Sequence, residues 1–477
     1  ANKACVKDAC SAGEQRDHFI QGAQLWKKGN DGALQWIGDS RVYYLKYEQL
    51  AQSALIAVHG ISQFLGLANI PIPENWAAQT PSTESQIQSK KDLIDTFDQI
   101  AGDTPTRLGY RLGYSEEIKR TWPRSNEVKV AMAAEDHSSC KGEPILIGAC
   151  PHSGTSVMVR IIGSHPWIYE VPGETKQFTK DQSPAMVMKS AQKFREACQD
   201  DGKHAWVEKT PSNVVFLKST LKGMPKARTV VMYRNGRDVV MSLLDRSCAW
   251  RPDGCNVPER LIEPIQRWVR AYESAFEWIG DPRVLFLQYE EFVRAPFLAL
   301  HNLCNFLQVP YLPEEMLSYH TKELTYAGVP SGAPKAAAIH RELRDSQIQK
   351  PLYLSEGKGK NMTAQGTLLF QQMAGNIYKT LGYDRRPWLP GDERTNSSRV
   401  HHDGGRKGNP RKMHSRGQTA GQLARLDGMQ GAGGRKRGAK WRGPSLERWR
   451  QQQGEGRQDL GGRNWREQRE TQKASDG

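Results

Sequence analysis

The spacing of apolar positions along the chain follows two periods. Between residues 144 and 385, short apolar runs alternate with longer stretches whose apolar residues recur three and four apart. The runs at 145–150, 204–208, 228–233 and 283–288 predict strands. The stretches at 154–164, 184–199, 212–221, 237–247, 259–279, 290–307 and 363–381 predict helices. Strands interleaved with helices argue for a parallel sheet covered on both faces. The expected fold class is α/β, a doubly wound parallel sheet flanked by helices.

Part of the pattern occurs twice. Residues 35–50, QWIGDSRVYYLKYEQL, match 277–292, EWIGDPRVLFLQYEEF, at nine of sixteen positions. Residues 97–110, FDQIAGDTPTRLGY, match 370–383, FQQMAGNIYKTLGY, at seven of fourteen. The two blocks are collinear, so residues 1–110 are expected to be the C-terminal half of a second copy of the domain at 144–385. Residues 111–143 are polar and poorly periodic and are expected to link the two.

Composition adds a fourth region. From 386 to 477 the chain is rich in Gly, Arg and Gln with few aliphatic residues, and it is expected to be disordered, because it cannot bury enough apolar surface to offset its ordering entropy. The net charge of +15 belongs mostly to this tail: from Gly391 onward there are 20 Lys/Arg against 10 Asp/Glu, which leaves +5 for the first 390 residues. Nucleic-acid binding by the folded part is therefore not expected.

No run of eighteen apolar residues is long enough to span a bilayer. The eight cysteines show no CxxC and no metal-ligand spacing. Cys5 and Cys10, and Cys248 and Cys255, are close enough for local disulfides. Such pairing favours a secretory compartment, the Golgi lumen, with the cytoplasm as the alternative. The chain opens Ala1-Asn2-Lys3, as though cut from something longer.

The candidate chemistry starts at the first predicted strand. Ile145-Leu146-Ile147 runs into a tight turn, Pro151-His152-Ser153-Gly154-Thr155-Ser156, and then into a helix. This geometry turns orphan backbone amides and a helix dipole toward one spot, which suits a phosphate. The nucleotide-triphosphatase pattern GxxxxGK[ST] would need a Lys after Gly154, where Thr155 stands. Farther on, the strand 228–233 delivers Arg234 to its carboxyl end, and Ser242 follows two helical turns later.

Loop and Arg…Ser pair together resemble the sulfotransferase family, whose members use 3′-phosphoadenosine 5′-phosphosulfate (PAPS). The motif order is most similar to tyrosylprotein and carbohydrate sulfotransferases, with a P-loop-like fold. The resemblance implies that Ser153, Gly154, Thr155 and Ser156 hold the 5′-phosphosulfate, and that Arg234 and Ser242 hold the 3′-phosphate. It implies that Lys209, at the end of a strand, approaches the departing sulfuryl group. Thr210 follows as in the family, but Pro211 stands where small-molecule sulfotransferases carry a catalytic His.

The base must then come from elsewhere. Glu174-Thr175-Lys176 is similar to the Glu-Thr-Arg of tyrosylprotein sulfotransferases, which makes Glu174 the candidate, with Glu170 and Glu208 next. By the same resemblance Tyr289 packs near the nucleotide and Lys358 lies in a basic loop over the 3′-phosphate. His152 departs from the family, which places Lys or Arg there; surrounding anions would favour its charged form. The implied activity is in-line transfer of a sulfuryl group from PAPS to a hydroxyl acceptor: protein tyrosine, carbohydrate or small alcohol. It needs no metal. The alternative is a catalytically degenerate module of the same fold that binds nucleotide or sugar.

Overall fold

The computed structural model describes residues 12–67, 91–110, 144–248, 258–323 and 345–384. The proposed linker 111–143, the tail 386–477 and both cysteine pairings lie outside the described residues or side chains. Among the described residues, no helix is long and apolar enough to cross a membrane and no cluster of His, Cys, Asp and Glu could hold a metal ion.

Five strands build one sheet: β1 (Ile145–Gly148), β2 (Ile168–Glu170), β3 (Ala205–Lys209), β4 (Arg228–Tyr233) and β5 (Val284–Gln288). Their order is β2-β3-β1-β4-β5, and every pairing is parallel. Alternate residues of each strand face different helical layers. Leu146, Trp206 and Val231 join one apolar core, while Ile145, Ile147, Val207 and Val230 join the other. This accounts for strands that are apolar at consecutive positions.

The expected strands and helices recur with small shifts, and each shift has a local cause. The predicted helix at 212–221 begins as a 3-10 turn, Pro211–Phe216, before the α-helix Leu217–Gly223. That turn runs so close to β1 that a Cβ on Gly148 would lie 2.8 Å from the Val214 amide nitrogen. The predicted helix 290–307 is two helices, Tyr289–Arg294 and Pro296–Leu307. Pro296 has no amide to continue the first helix, and Ala295 before it sits outside the helical region at φ −130° and ψ 62°. Strand β2 is only three residues long and shows no readable period.

The sheet reverses its winding direction beside β1. The chain leaves β1 toward β2, returns through β3, and later leaves β4 toward β5. In open α/β sheets ligands bind at the strand carboxyl ends beside such a reversal. The loops after β1, β3 and β4 all open there.

Residues 12–110 contribute helices Ala12–Leu34, Tyr47–Gln52, Ala54–Phe64 and Lys91–Ala101. They pack on the β5 side of the sheet, where the ring of His59 bonds the Val284 carbonyl.

Candidate active site

The loop after β1 is shaped by two left-handed residues. His152 has φ 70° and Gly154 has φ 92°, and Gly154 is the N-cap of the helix Thr155–Gly163. Only glycine fits at 154: a Cβ there would lie 2.6 Å from the ring of Tyr289. The Tyr289 ring therefore packs directly on the loop, and its hydroxyl donates to the Tyr353 carbonyl at 3.0 Å. Burial pushes that hydroxyl's pKa up to about 12.

From β3, Lys209 enters the same space. Its side chain is fully buried, and Nζ donates to Glu174 Oε1 at 2.6 Å and to Ser156 Oγ at 3.2 Å. Glu174 keeps a third of its side chain exposed. The loop carrying it is fixed by neighbouring residues: the Thr175 hydroxyl donates to Glu208 at 2.8 Å, and the Lys176 amide donates to the Thr210 hydroxyl at 3.1 Å. A buried cation is expensive unless paired, so the Lys209–Glu174 contact is the minimum this position requires.

From β4, Arg234 closes the other side. Nη1 donates to the His152 carbonyl at 2.9 Å, Nη2 donates to the Ser355 hydroxyl at 3.2 Å, and the guanidinium lies 4.6 Å over the Tyr289 ring. Its Nε is buried without a hydrogen-bond partner. Ser242 reaches the same residue from the following helix, with its hydroxyl 2.7 Å from His152 Nδ1. Arg246, one turn later, donates to His152 Nε2 at 3.1 Å. An arginine can only donate, so Nε2 accepts, and Nδ1 carries the ring hydrogen toward Ser242.

A strap at 352–360 lies across this side. The amides of Gly357 and Gly359 donate to the Asp238 carboxylate at 3.1 and 2.6 Å. Burial raises the Asp238 pKa despite these bonds. Arg294 holds both oxygens of Glu356 at 2.7 Å, and Lys358 Nζ contacts Asp245 at 3.0 Å. Three strand ends thus bring an anion-suited helix terminus, a buried lysine and an arginine, whose Nη2 also donates to the Ser355 carbonyl and whose Nε is unpaired, to one crevice.

Residues 187–314 match the sequence profile described as the Sulfotransferase family. That segment runs from within the helix Pro184–Asp200 through β3, β4 and β5 to Glu314, and so includes Lys209, Arg234, Ser242 and Tyr289. The sulfotransferase domain of a Synechococcus olefin synthase is 15% identical, covering 50% of this chain and 97% of its own, with a TM-score of 0.33. A mouse sulfotransferase complexed with PAP is also 15% identical, covering 54% of this chain and 96% of its own, with a TM-score of 0.35. A sulfotransferase from Mycobacterium avium is 12% identical over 79% of this chain and 98% of its own, with a TM-score of 0.33. No curated protein sequence matches the chain.

The expected site residues divide by environment. Gly154, Thr155, Ser156, Lys209, Glu174, Arg234, Ser242, His152 and Tyr289 meet around the crevice. The Ser153 hydroxyl instead bonds Tyr272 in the core at 3.1 Å, so only the Ser153 backbone remains for a ligand. Lys358 lies beside the helix that carries Ser242, paired with Asp245. The two alternative bases are already engaged. Glu170 pairs with Arg160 at 2.9 Å inside the protein, and Glu208 accepts from Thr175, Thr210 and Asn213.

Arg246, Asp238 and Ser355 were not singled out from sequence. Arg246 and Ser242 share a face of one helix, spaced four apart, which was a readable signal. Nothing in the sequence joined Ser355 to Arg234.

Proposed function

We propose that the domain transfers the sulfuryl group of PAPS to a hydroxyl acceptor by in-line displacement. The observation that carries this reading is Lys209, a buried cation touching both the loop hydroxyl of Ser156 and the carboxylate of Glu174. The amides at the start of the helix Thr155–Gly163 suit the 5′-phosphosulfate, and Arg234 with Ser242 suits the 3′-phosphate. The acceptor oxygen attacks sulfur while the bond from sulfur to the bridging oxygen breaks. The acceptor proton passes to Glu174, and the electron pair leaves on the 5′-phosphate, where Lys209 and the loop donors stabilise it. For this, Lys209 must give up Glu174 for the bridging oxygen, which frees the carboxylate to accept a proton.

The rival reading, a module that binds without turnover, draws on His152 in place of the usual cation. Arg246 weakens that reading, because it brings a permanent positive charge to the His152 ring. The test is transfer of labelled sulfate from PAPS to a panel of tyrosine peptides, sugars and simple alcohols. Labelled product is expected. Binding of 3′-phosphoadenosine 5′-phosphate (PAP) with no product from any acceptor would establish the binding module.

A further inference from the structure

Residues 12–110 meet the complete domain through contacts that come in mirrored pairs. The alignment of 35–50 with 277–292, extended without gaps, equates Gly38 with Gly280, Val42 with Val284, Tyr44 with Phe286, His59 with His301, and Gln63 with Asn305. The amide of Gly38 donates to His301 Nδ1 at 2.8 Å, and the amide of Gly280 donates to His59 Nδ1 at 2.8 Å. Nε2 of His301 bonds the Val42 carbonyl at 2.7 Å, and Nε2 of His59 bonds the Val284 carbonyl at 2.7 Å. Asn305 donates to Val42 at 3.2 Å, while Gln63 donates to Val284 at 2.7 Å. The His301 ring stands edge-on to Tyr44, and the His59 ring stands edge-on to Phe286.

The closing segments obey the same exchange. A Cβ on Gly109 would strike Ala295 and the Arg294 backbone, and a Cβ on its counterpart Gly382 would strike the Gln52 backbone. Inside each half, the tyrosine of the LGY motif bonds the glutamate of the Tyr-Glu motif: Tyr110 to Glu48 at 3.0 Å, Tyr383 to Glu290 at 2.8 Å. Between the halves lies a cavity of about 460 Å³, lined at matching positions by Ile56 and Ala57 on one side and Leu298 and Ala299 on the other.

When residue i of one body meets j of the other, and j of the first meets i of the second, the interface is isologous, the form made by two copies of one surface. We infer that residues 12–110 are the C-terminal half of a second sulfotransferase domain, docked about a pseudo-two-fold axis. The face built from Gly280, Val284, His301 and Asn305 is thus a self-association surface. Its partner by chemistry is a second copy of the same domain, and this chain satisfies it internally. The internal pairing prevails because a tethered partner is present at high effective concentration.

The test uses the full chain. His59→Asp spoils the face of the first half and leaves every residue of the complete domain's face intact. Sedimentation velocity should then show a dimer whose fraction rises with protein concentration across the micromolar range, above any association of the wild type. Adding His301→Asp, which spoils the second face as well, should return the sedimentation to that of the wild type. Ala57→Arg, placed in the cavity, is the second route to the same release, should His59→Asp fail to fold. Limited proteolysis reports whether the first half has come away. Release without added dimer, or a dimer that survives His301→Asp, overturns the inference. So does failure of both substitutions to loosen the first half, since the mirrored bonds would then not hold the interface.

Discussion

Lys209 Nζ and Glu174 Oε1 stand 2.6 Å apart, the lysine buried and the glutamate partly open to solvent. The pair joins the two groups that the proposed reaction uses at opposite ends of the breaking and forming bonds. Removing either partner has a different expected result. Glu174→Gln should abolish transfer while PAP affinity stays near that of wild type, since a base acts in the transition state. Lys209→Met should lose on the order of 10²–10³ in rate, as for removal of one donor at a developing charge. Steady-state kinetics with calorimetry on each variant checks both.

Arg234 and Ser242 converge on His152 from different elements. Arg234→Ala should weaken PAP binding by about 2–4 kcal/mol, the cost of leaving a buried anion without its charged partner. Ser242→Ala should cost about 1 kcal/mol, as for one neutral hydrogen bond. Unchanged affinity by calorimetry in Arg234→Ala would remove the 3′-phosphate assignment.

His152 and Arg246 are expected to share one role. Arg246→Ala should lower the transfer rate, because the loop then loses its permanent cation. His152→Arg, combined with Arg246→Ala, should restore the rate by placing the charge directly on the loop. No rescue in the double variant would show that Arg246 acts only by steadying the ring.

Acid should destabilise the domain through His165. This ring is buried, its Nε2 bonds the Pro310 carbonyl at 3.1 Å, and burial pushes its pKa down to about 4. The unfolded chain takes up that proton near its ordinary value of about 6.5. Stability is therefore complete above about pH 6.5 and falls as pH drops from there to about 4, by about 3 kcal/mol in all. Thermal melts from pH 7 to 4 check this, and His165→Asn should flatten the profile.

Much of the site was legible because its motifs are local. Strand, small-residue turn and helix around Gly154 follow one another in sequence, and so do β4, Arg234 and Ser242. The burial of Lys209 was not legible, since it depends on β3 lying between β1 and β2. The Glu174-Thr175-Lys176 resemblance put Glu174 ahead of Glu208, but sequence could not show that Glu208 is held by Thr175, Thr210 and Asn213, which only the fold brings to it. The repeated WIGDxRV segment is the sequence sign of the inferred second copy, but the matched contacts of His59 and His301 depend on long-range packing.

The strap at 352–360 has a kinetic consequence. Asp238 fastens it at Gly357 and Gly359, and Arg294 fastens it at both oxygens of Glu356, with all four bonds made by the protein alone. A nucleotide beneath it therefore meets a cover that is closed before the nucleotide arrives. On the proposed function, the nucleotide's residence time is then expected to follow how often these bonds open.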